Sequence, residues 1–400
     1  MQRFAALRPV RDAFAACTLI TAIWLPPLAA RATASHPCPR IASHFSSGTL
    51  PHEIIALYTD RQNRRHPIAT DGSHVLMGWE TSREPGGGGP VHLWTMRLPS
   101  TKLMPIPRSA YPPRTFLAGW QLEWPWIVGI AYTTPPPTIP ADWRLWAGNV
   151  VTGMHFILDT YRNHRHPVPE FFPRFALNAG RVAWEFSIDR PARFDTFSSQ
   201  RIALEDLKSR HRTFLTAPDP LAVYGRITMS GHRIVWESQR FGTSGKSVPV
   251  DLSMYDLSSH RLSQLSHNAS PNSSSLYPRL SGRYLLFEQG EFGSDGGIPY
   301  LVDLSSRKGS ATRRWFSKYR FWRLGKGGLT NTQLGNGLIS WGDGRILDVT
   351  RGKIWTFGFR SWRVDAIAGR TVLVERIDPT NGHVSYAAWR FPEACSASGF

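Results

Sequence analysis

A tryptophan-glutamate pair returns along this chain at nearly regular intervals. It occurs as Trp79-Glu80, Trp184-Glu185 and Trp236-Glu237, with Phe287-Glu288 as a variant. Alignment of the surrounding residues adds weaker copies, and successive copies are separated by 52, 53, 52, 51, 54 and 33 residues. The equivalent positions are Trp79, Ala131, Trp184, Trp236, Phe287, Trp341 and Val374. Repeats of about fifty residues are typical of propellers and solenoids, in which a row of units can form one body.

Each unit is predicted to be a group of antiparallel strands. A glycine introduces most of the apolar runs, as in Gly231-His232-Arg233-Ile234-Val235-Trp236, which predicts a turn followed by a buried strand. A later run ends at an aspartate followed by small polar residues, as in Tyr255-Asp256-Leu257-Ser258, where the carboxylate can accept hydrogen bonds from a turn. The sequence therefore predicts an all-β protein, a single β-propeller of seven four-stranded blades, with six blades as the alternative.

The two ends of the repeat array complement each other. Residues 63–68 match residues 163–168, two repeat lengths further on, so the strand at 54–59 corresponds to the last strand of a blade. The final unit, in contrast, lacks one strand. We therefore expect residues 54–59 to complete the last blade and to close a propeller that spans residues 51–392. Closure removes the unpaired sheet edges that an open row of blades would expose.

The segments outside the array carry features of export. Residues 1–34 combine an arginine-bearing start, an apolar run and small residues suited to cleavage, which predicts a signal peptide and a secreted or periplasmic protein. Residues 35–50 are an N-terminal segment, and residues 393–400 are a C-terminal tail. In an oxidising compartment Cys38 and Cys395 could form a disulfide that joins the ends of the propeller; two free thiols are the alternative.

The repeat resembles known propeller families through its motifs. Gly231-His232-Arg233-Ile234-Val235-Trp236-Glu237 and Tyr255-Asp256-Leu257 are similar to the Gly-x-x-Ile-Val-Trp-Glu and Tyr-Asp-Leu strands of surface-protein β-propeller repeats. Tyr277-Pro278-Arg279-Leu280-Ser281-Gly282-Arg283 resembles the strand entry of TolB-like propellers. The resemblance covers residues 50–391, although most units lack the family's Pro-Asp-Gly turn. It implies an exported propeller used for binding and names no reaction.

Charge narrows the range of partners. The net charge is +18, and the chain remains basic without residues 1–34. In an exported protein this favours an anionic polysaccharide, an envelope or extracellular protein, or peripheral contact with lipid headgroups, whereas nucleic-acid-binding modules are absent from the sequence. We expect a monomeric, non-catalytic binding or scaffold protein without a cofactor, which holds its ligand on one face. A hydrolase or lyase acting on acidic polysaccharide is the alternative.

Two groups of residues are candidates for the site. The repeat glutamates could form a ring of carboxylates or accept structural hydrogen bonds from a neighbouring blade; they are Glu80, Glu185, Glu237, Glu288 and Glu375. Aromatic residues beside arginines suit stacking on sugar rings and pairing with acidic groups. The ligand-binding candidates of this kind are Trp143, Arg144, Arg313, Arg314, Trp315, Tyr319, Arg320, Trp322 and Arg323.

No sequence pattern indicates a catalytic residue or a metal site. The Gly-x-Ser-x-Gly motif of a nucleophile is absent, and His164-x-His166 has no nearby carboxylate or cysteine to complete a ligand set. An enzyme should bring histidines, aspartates or glutamates together at the central channel. A binding module should present tryptophan and arginine there and keep its carboxylates paired.

Overall fold

A computed structural model describes eighteen segments of the chain: residues 46–48, 54–60, 65–79, 92–113, 115–132, 142–162, 173–187, 200–219, 222–240, 249–268, 273–290, 297–307, 319–323, 332–340, 345–356, 362–378, 380–381 and 383–392. The predicted signal peptide, Cys38, Cys395 and the C-terminal tail lie outside these residues, so export and the disulfide stay predictions. Within the described segments, no helix has the length and apolarity that crossing a membrane would require.

The described residues form strands joined by turns, together with one 3₁₀ turn at Arg108–Ala110. The strands are β1 (Ser46–Gly48), β2 (Ile54–Asp60), β3 (Arg65–Thr70), β4 (His74–Trp79), β5 (His92–Arg97), β6 (Leu103–Pro105), β7 (Phe116–Glu123), β8 (Trp126–Tyr132), β9 (Asp142–Asn149), β10 (Met154–Arg162), β11 (Phe175–Asn178), β12 (Arg181–Ser187), β13 (Gln200–Asp206), β14 (Arg212–Phe214), β15 (Ala222–Ser230), β16 (Arg233–Arg240), β17 (Asp251–Asp256), β18 (Arg261–Gln264), β19 (Ser274–Ser281), β20 (Tyr284–Gly290), β21 (Ile298–Arg307), β22 (Tyr319–Arg323), β23 (Gln333–Gly335), β24 (Leu338–Ser340), β25 (Arg345–Asp348), β26 (Lys353–Thr356), β27 (Trp362–Ala368), β28 (Thr371–Ile377) and β29 (Val384–Arg390).

These strands pair into seven sheets, which are the blades of a propeller. Blade 1 contains β3–β6, blade 2 β7–β10, blade 3 β11–β14, blade 4 β15–β18 and blade 5 β19–β22. Blade 6 contains β23–β26, and blade 7 contains β27–β29 together with β2. The first of these strands in each blade contacts its counterpart in the next blade, and β27 contacts β3, so the blades form a closed ring. The predicted all-β, seven-bladed propeller is confirmed.

The N-terminal strand closes the ring as predicted. β2 pairs antiparallel with β29, with Leu57 opposite Ala387, and thereby supplies the outer strand of blade 7. One further strand was not predicted. β1 pairs parallel with β26 at the outer edge of blade 6, so the N-terminal segment at 35–50 contributes residues 46–48 to the propeller. Both strands cover sheet edges that would otherwise be unpaired.

The repeated aromatic position fills the space between blades. Trp184, Trp236 and Phe287 lie on the second strands of blades 3, 4 and 5 and are at most 1% exposed. Trp184 packs in a cluster shared by blades 2 and 3, and Trp236 in a cluster shared by blades 3 and 4. Large rings suit this wedge because one side chain can contact both sheets. The repeat pair is therefore mainly a marker of packing between blades.

One face of the ring carries a hydrogen bond across every blade interface of the described residues. The acceptor lies at the end of the first strand in blades 2 to 5 and directly after it in blade 1. In blade 4, Ser230 Oγ accepts from the N–H of Gly282 at 2.8 Å. Side chains of blade 7, Arg370 and Thr371, donate to backbone carbonyls of blades 6 and 1. The five acceptor residues are Asp71, Glu123, Asn178, Ser230 and Ser281.

The predicted aspartate turns are also present. Asp256 Oδ1 accepts from the N–H groups of Ser258 and Ser259 at 2.9 and 3.1 Å, and Asp206 Oδ1 accepts from the turn that follows it in the same way. These hydrogen bonds lower the pKa of both carboxyl groups, although burial of each side chain opposes the effect. The carboxylates are therefore used locally to shape hairpins.

Candidate functional site

The first strands of blades 2 to 7 line an open cavity of about 660 Å³ at the centre of the ring. Its described lining comes from blades 2 to 7. The polar and aromatic lining residues are Trp120, Gln121, Arg174, Arg226, Thr228, Tyr277, Arg279 and Gln333. Leu334 and Ile367 supply an apolar sector from blades 6 and 7. Because most of the wall is strand that is packed into the ring, the cavity is preformed.

Three arginines of consecutive blades line this cavity. Arg174 immediately precedes β11, Arg226 lies in β15, and Arg279 lies in β19. Arg174 is exposed, whereas Arg226 and Arg279 are partly buried. The described lining contains no aspartate, glutamate or histidine. The charge of the wall is therefore positive on the side of blades 3 to 5.

The repeat glutamates of this sector are occupied by the backbone. Glu237, on β16, accepts from the N–H of Arg226 at 3.0 Å and from the N–H of Tyr277 in blade 5 at 2.6 Å. Gly225 makes room for it, since an added Cβ would lie 2.2 Å from the Glu237 Oε2. Glu185 repeats part of this arrangement within blade 3 and accepts from the N–H of Arg174 at 3.2 Å. Glu237 therefore joins the first strands of blades 4 and 5, and Glu185 contacts the start of the first strand of its own blade.

Burial changes the charge of these groups. It raises the pKa of Glu185 to about 8, although the N–H and charge of Arg174 act in the opposite direction. Glu185 is therefore mostly neutral at pH 7 and leaves the charge of Arg174 uncancelled. Burial also raises the pKa of Glu237, against hydrogen bonds from the N–H groups of Tyr277 and Arg226. Burial thus disfavours the charged form of both glutamates, whereas the arginines of the cavity wall keep their positive charge.

Two aromatic side chains complete the polar sector. Trp120 lines the cavity from blade 2, and its ring is held by an edge-to-face contact with the buried Trp146, with 5.9 Å between centroids. Tyr277 lines it from blade 5. Aromatic faces beside guanidinium groups can stack on sugar rings while the arginines pair with acid groups.

The predicted ligand-binding residues do not belong to the described lining of this cavity. Trp143 lies on β9, is 5% exposed, and packs in the core between blades 2 and 3. This packing accounts for a tryptophan at position 143 without any contact to a ligand. Arg144 follows it on the same strand. Tyr319, Arg320, Trp322 and Arg323 belong to β22, the strand of blade 5 furthest from the ring centre. Arg313, Arg314 and Trp315 lie outside the described residues, so ligand contact by this cluster stays a prediction.

The other repeat glutamates are distant from an open site as well. Glu288 and Glu375 are 2% and 7% exposed, on the second strands of blades 5 and 7, while Glu80 lies outside the described residues. Gly297 leaves room for Glu288, since a Cβ there would lie 2.0 Å from its Oε1. The glutamates thus recur with the blade and are buried within it.

No described cluster suits metal binding. In the described part of the chain no group of three His, Cys, Asp or Glu side chains is placed to hold a metal ion, and His164 and His166 lie outside it. Glu123, the last residue of β7, accepts from the N–H groups of Ala179 and Gly180 at 2.6 and 2.8 Å. It is committed to the interface of blades 2 and 3.

The arginines of the cavity were not singled out from the sequence. Arg174, Arg226 and Arg279 are isolated cations, 52 and 53 residues apart, that come together because their blades are adjacent. Their common signal is an arginine directly before an apolar residue of a first strand: Phe175, Ile227 and Leu280. A comparison of first strands across the repeats would have found it.

The chain matches no protein-family model and no curated protein. Among solved structures, it is similar to a prolyl endopeptidase at 14% identity with a TM-score of 0.52, over 81% of this chain and 46% of that one. It is similar to oligogalacturonate lyase from Vibrio parahaemolyticus (9% identity, TM-score 0.48, 87% and 100% of the two chains) and to a putative TolB from Agrobacterium tumefaciens (10%, 0.39, 85% and 91%). The chain spans about half of the prolyl endopeptidase. At 14% identity, the likeness to the prolyl endopeptidase shows a shared fold alone.

Proposed function

We propose that this protein is an exported, secreted or periplasmic, non-catalytic binding propeller that takes up acidic saccharides in its central cavity as a monomer. The observation that carries the proposal is the wall of three arginines, Arg174, Arg226 and Arg279, in a cavity whose described lining has no carboxylate. Guanidinium groups form strong, geometrically specific pairs with carboxylates and other oxyanions.

The rest of the cavity supports a saccharide as the carrier of the acid groups. Trp120 offers an aromatic face, and Gln121, Thr228 and Gln333 offer hydrogen-bonding groups for hydroxyls. The apolar sector of Leu334 and Ile367 suits the ring face of a sugar better than a second charge. The basic net charge would also draw polyanions toward the protein.

Binding of defined tetrasaccharides tests the proposal. We expect calorimetric titration to detect binding of a galacturonic acid tetramer and not of the neutral galactose tetramer, with affinity that falls as salt is added. Arg226→Ala and Arg279→Ala should each weaken binding by about 10- to 150-fold, the range of a charge-assisted hydrogen bond. Arg261→Ala removes the same charge from the exposed outer strand of blade 4 and is the matched control.

Three outcomes would overturn the proposal. They are equal binding of the neutral tetramer, wild-type affinity in the Arg226 and Arg279 variants, and binding of acidic peptides in place of saccharides. Cleavage of the tetramer, followed by the appearance of new reducing ends, would favour the alternative of a hydrolase or lyase.

A further inference from the structure

Tyr277 has a backbone conformation that a tyrosine rarely adopts. Its φ is +57°, and it is the one described non-glycine residue of positive φ that lies inside a strand; the others lie in turns. A bulky residue is strained in this region. The comparable bulge of β7 contains Gly119, with a φ of +59°. The fold therefore accepts glycine at such a bulge, and the backbone alone does not explain a tyrosine.

The ring of Tyr277 supports a cavity arginine. The Cζ of Arg226 lies 4.5 Å from the centroid of the Tyr277 ring, which is a cation–π contact. The backbone N–H groups of both residues donate to the carboxylate of Glu237. Arg226 and Tyr277 are thus fixed relative to each other across the interface of blades 4 and 5.

Arg279 brings a second guanidinium to the same place. It follows Tyr277 by two residues on β19 and lines the same cavity as Arg226. Burial, and then the nearby charge of Arg226, lower the pKa of Arg279 to about 10. The two cations are therefore close enough to repel each other while both remain charged. An acidic group that accepts hydrogen bonds from both would relieve this repulsion.

We propose that Tyr277 is a positioning residue that holds the Arg226 guanidinium beside that of Arg279, so that both bind one acidic group of the ligand. The inference rests on the proposed function and deepens it, because it states how the cavity recognises the acid group. The strained backbone at Tyr277 allows an aromatic ring to contact Arg226 from this position. Glycine would relax the strand and leave Arg226 without its support.

Substitution of Tyr277 separates positioning from stability. Tyr277→Gly and Tyr277→Asn both suit a left-handed backbone and remove the aromatic face. We expect each folded variant to bind the galacturonic acid tetramer about 3- to 30-fold more weakly, the factor that corresponds to a lost cation–π contact. Tyr277→Phe keeps the aromatic face and should weaken binding less than either of these two variants does. His260→Gly relaxes a left-handed residue in an exposed turn and is the matched control.

Urea denaturation of each variant gives its unfolding transition, and the affinity is measured under conditions in which the variant is fully folded. A residue that acts on stability alone changes the unfolding transition but not the affinity of the folded protein. The inference is overturned if the folded Gly and Asn variants bind as tightly as the wild type while Arg226→Ala does not. If neither variant folds, Tyr277→Leu, which keeps apolar volume without a π face, is held to the same outcomes. Absence of binding by the wild type would instead remove the proposed function.

Discussion

Two interfaces of this propeller use arginine and carboxylate in opposite ways. Between blades 4 and 5, the Glu237 carboxylate is held by backbone N–H groups, and Arg226 is directed to the cavity wall. Between blades 6 and 7, the Arg370 side chain is 1% exposed and pairs with Asp348, which is 0% exposed. Arg370 has a structural role because it faces a carboxylate of the adjacent blade. Arg226 can contact a ligand because backbone N–H groups already bind the neighbouring carboxylate, that of Glu237.

The largest effect on stability is expected at the interface of blades 6 and 7. Arg370→Ala leaves the Asp348 carboxylate buried without its main cation and should lower the free energy of unfolding by about 3 to 5 kcal/mol. Urea denaturation measures the loss. The double variant Arg370→Met, Asp348→Asn removes both charges, keeps an acceptor for the N–H and hydroxyl of Thr350, and should recover part of it. A loss of under about 1 kcal/mol in the single variant would contradict this account of the interface.

Removal of the carboxylate between blades 4 and 5 should be less costly. Glu237→Ala leaves the N–H groups of Arg226 and Tyr277 without their acceptor and should cost about 1 to 3 kcal/mol in all, because both residues line the cavity and water can reach them. Glu237→Gln keeps one acceptor oxygen and should lie between the alanine variant and the wild type. Thermal unfolding followed by circular dichroism distinguishes the three; equal stability of all three would show that the carboxylate does not join the blades.

Glu185 should make stability depend on pH. Its pKa is raised from 4.5 to about 8 in the folded protein, so the folded state keeps a proton that the unfolded state loses. The contribution of Glu185 to the free energy of unfolding is therefore greatest below about pH 4.5 and declines as the pH rises through about 8. Denaturation at several pH values should show a flatter profile for Glu185→Gln than for the wild type. Parallel profiles would mean that the carboxyl group titrates normally.

The smallest effect is expected at the hydrogen bonds on the face of the ring. Ser230→Ala removes the acceptor for the N–H of Gly282, which lies in an exposed turn that water can reach, so we expect a loss of about 1 kcal/mol or less. Ser281→Ala is the corresponding change at the next interface and should behave alike. If either variant lost as much stability as Arg370→Ala, the contrast between the two kinds of interface would not hold.

The fold could be predicted from the sequence because its signals are local and repeated. Trp184 and Trp236 stand at the same point of their blades, and the spacing between copies shows the period before any contact is known. The closing strand was predictable because residues 63–68 repeat residues 163–168, which reveals its place in a blade. The strand at 46–48 was missed because three residues carry no periodicity, and its pairing with β26 depends on tertiary structure.

The cavity could not be predicted in the same way. Arg226 and Arg279 are unremarkable in their own segments, and their proximity arises from the ring. The sequence drew attention to Arg320 and Trp322, which are two residues apart in the chain but lie on an outer strand. Local density of charge and aromatic residues therefore identified a different part of the blade from the one that faces the centre. A comparison of equivalent positions of the first strands across blades would have located the arginines of the cavity.

The pairing of β2 with β29 sets an order of events during synthesis. A ribosome makes β2 before any other strand of blade 7, so this strand has no partner until nearly the whole chain is present. Blades 1 to 5 consist of consecutive strands and can form as they emerge. During that time β2 is an unpaired edge that can bind other chains. Blade 7 is therefore the last to form, and a chain truncated before β29 would lack the ring and be prone to aggregation.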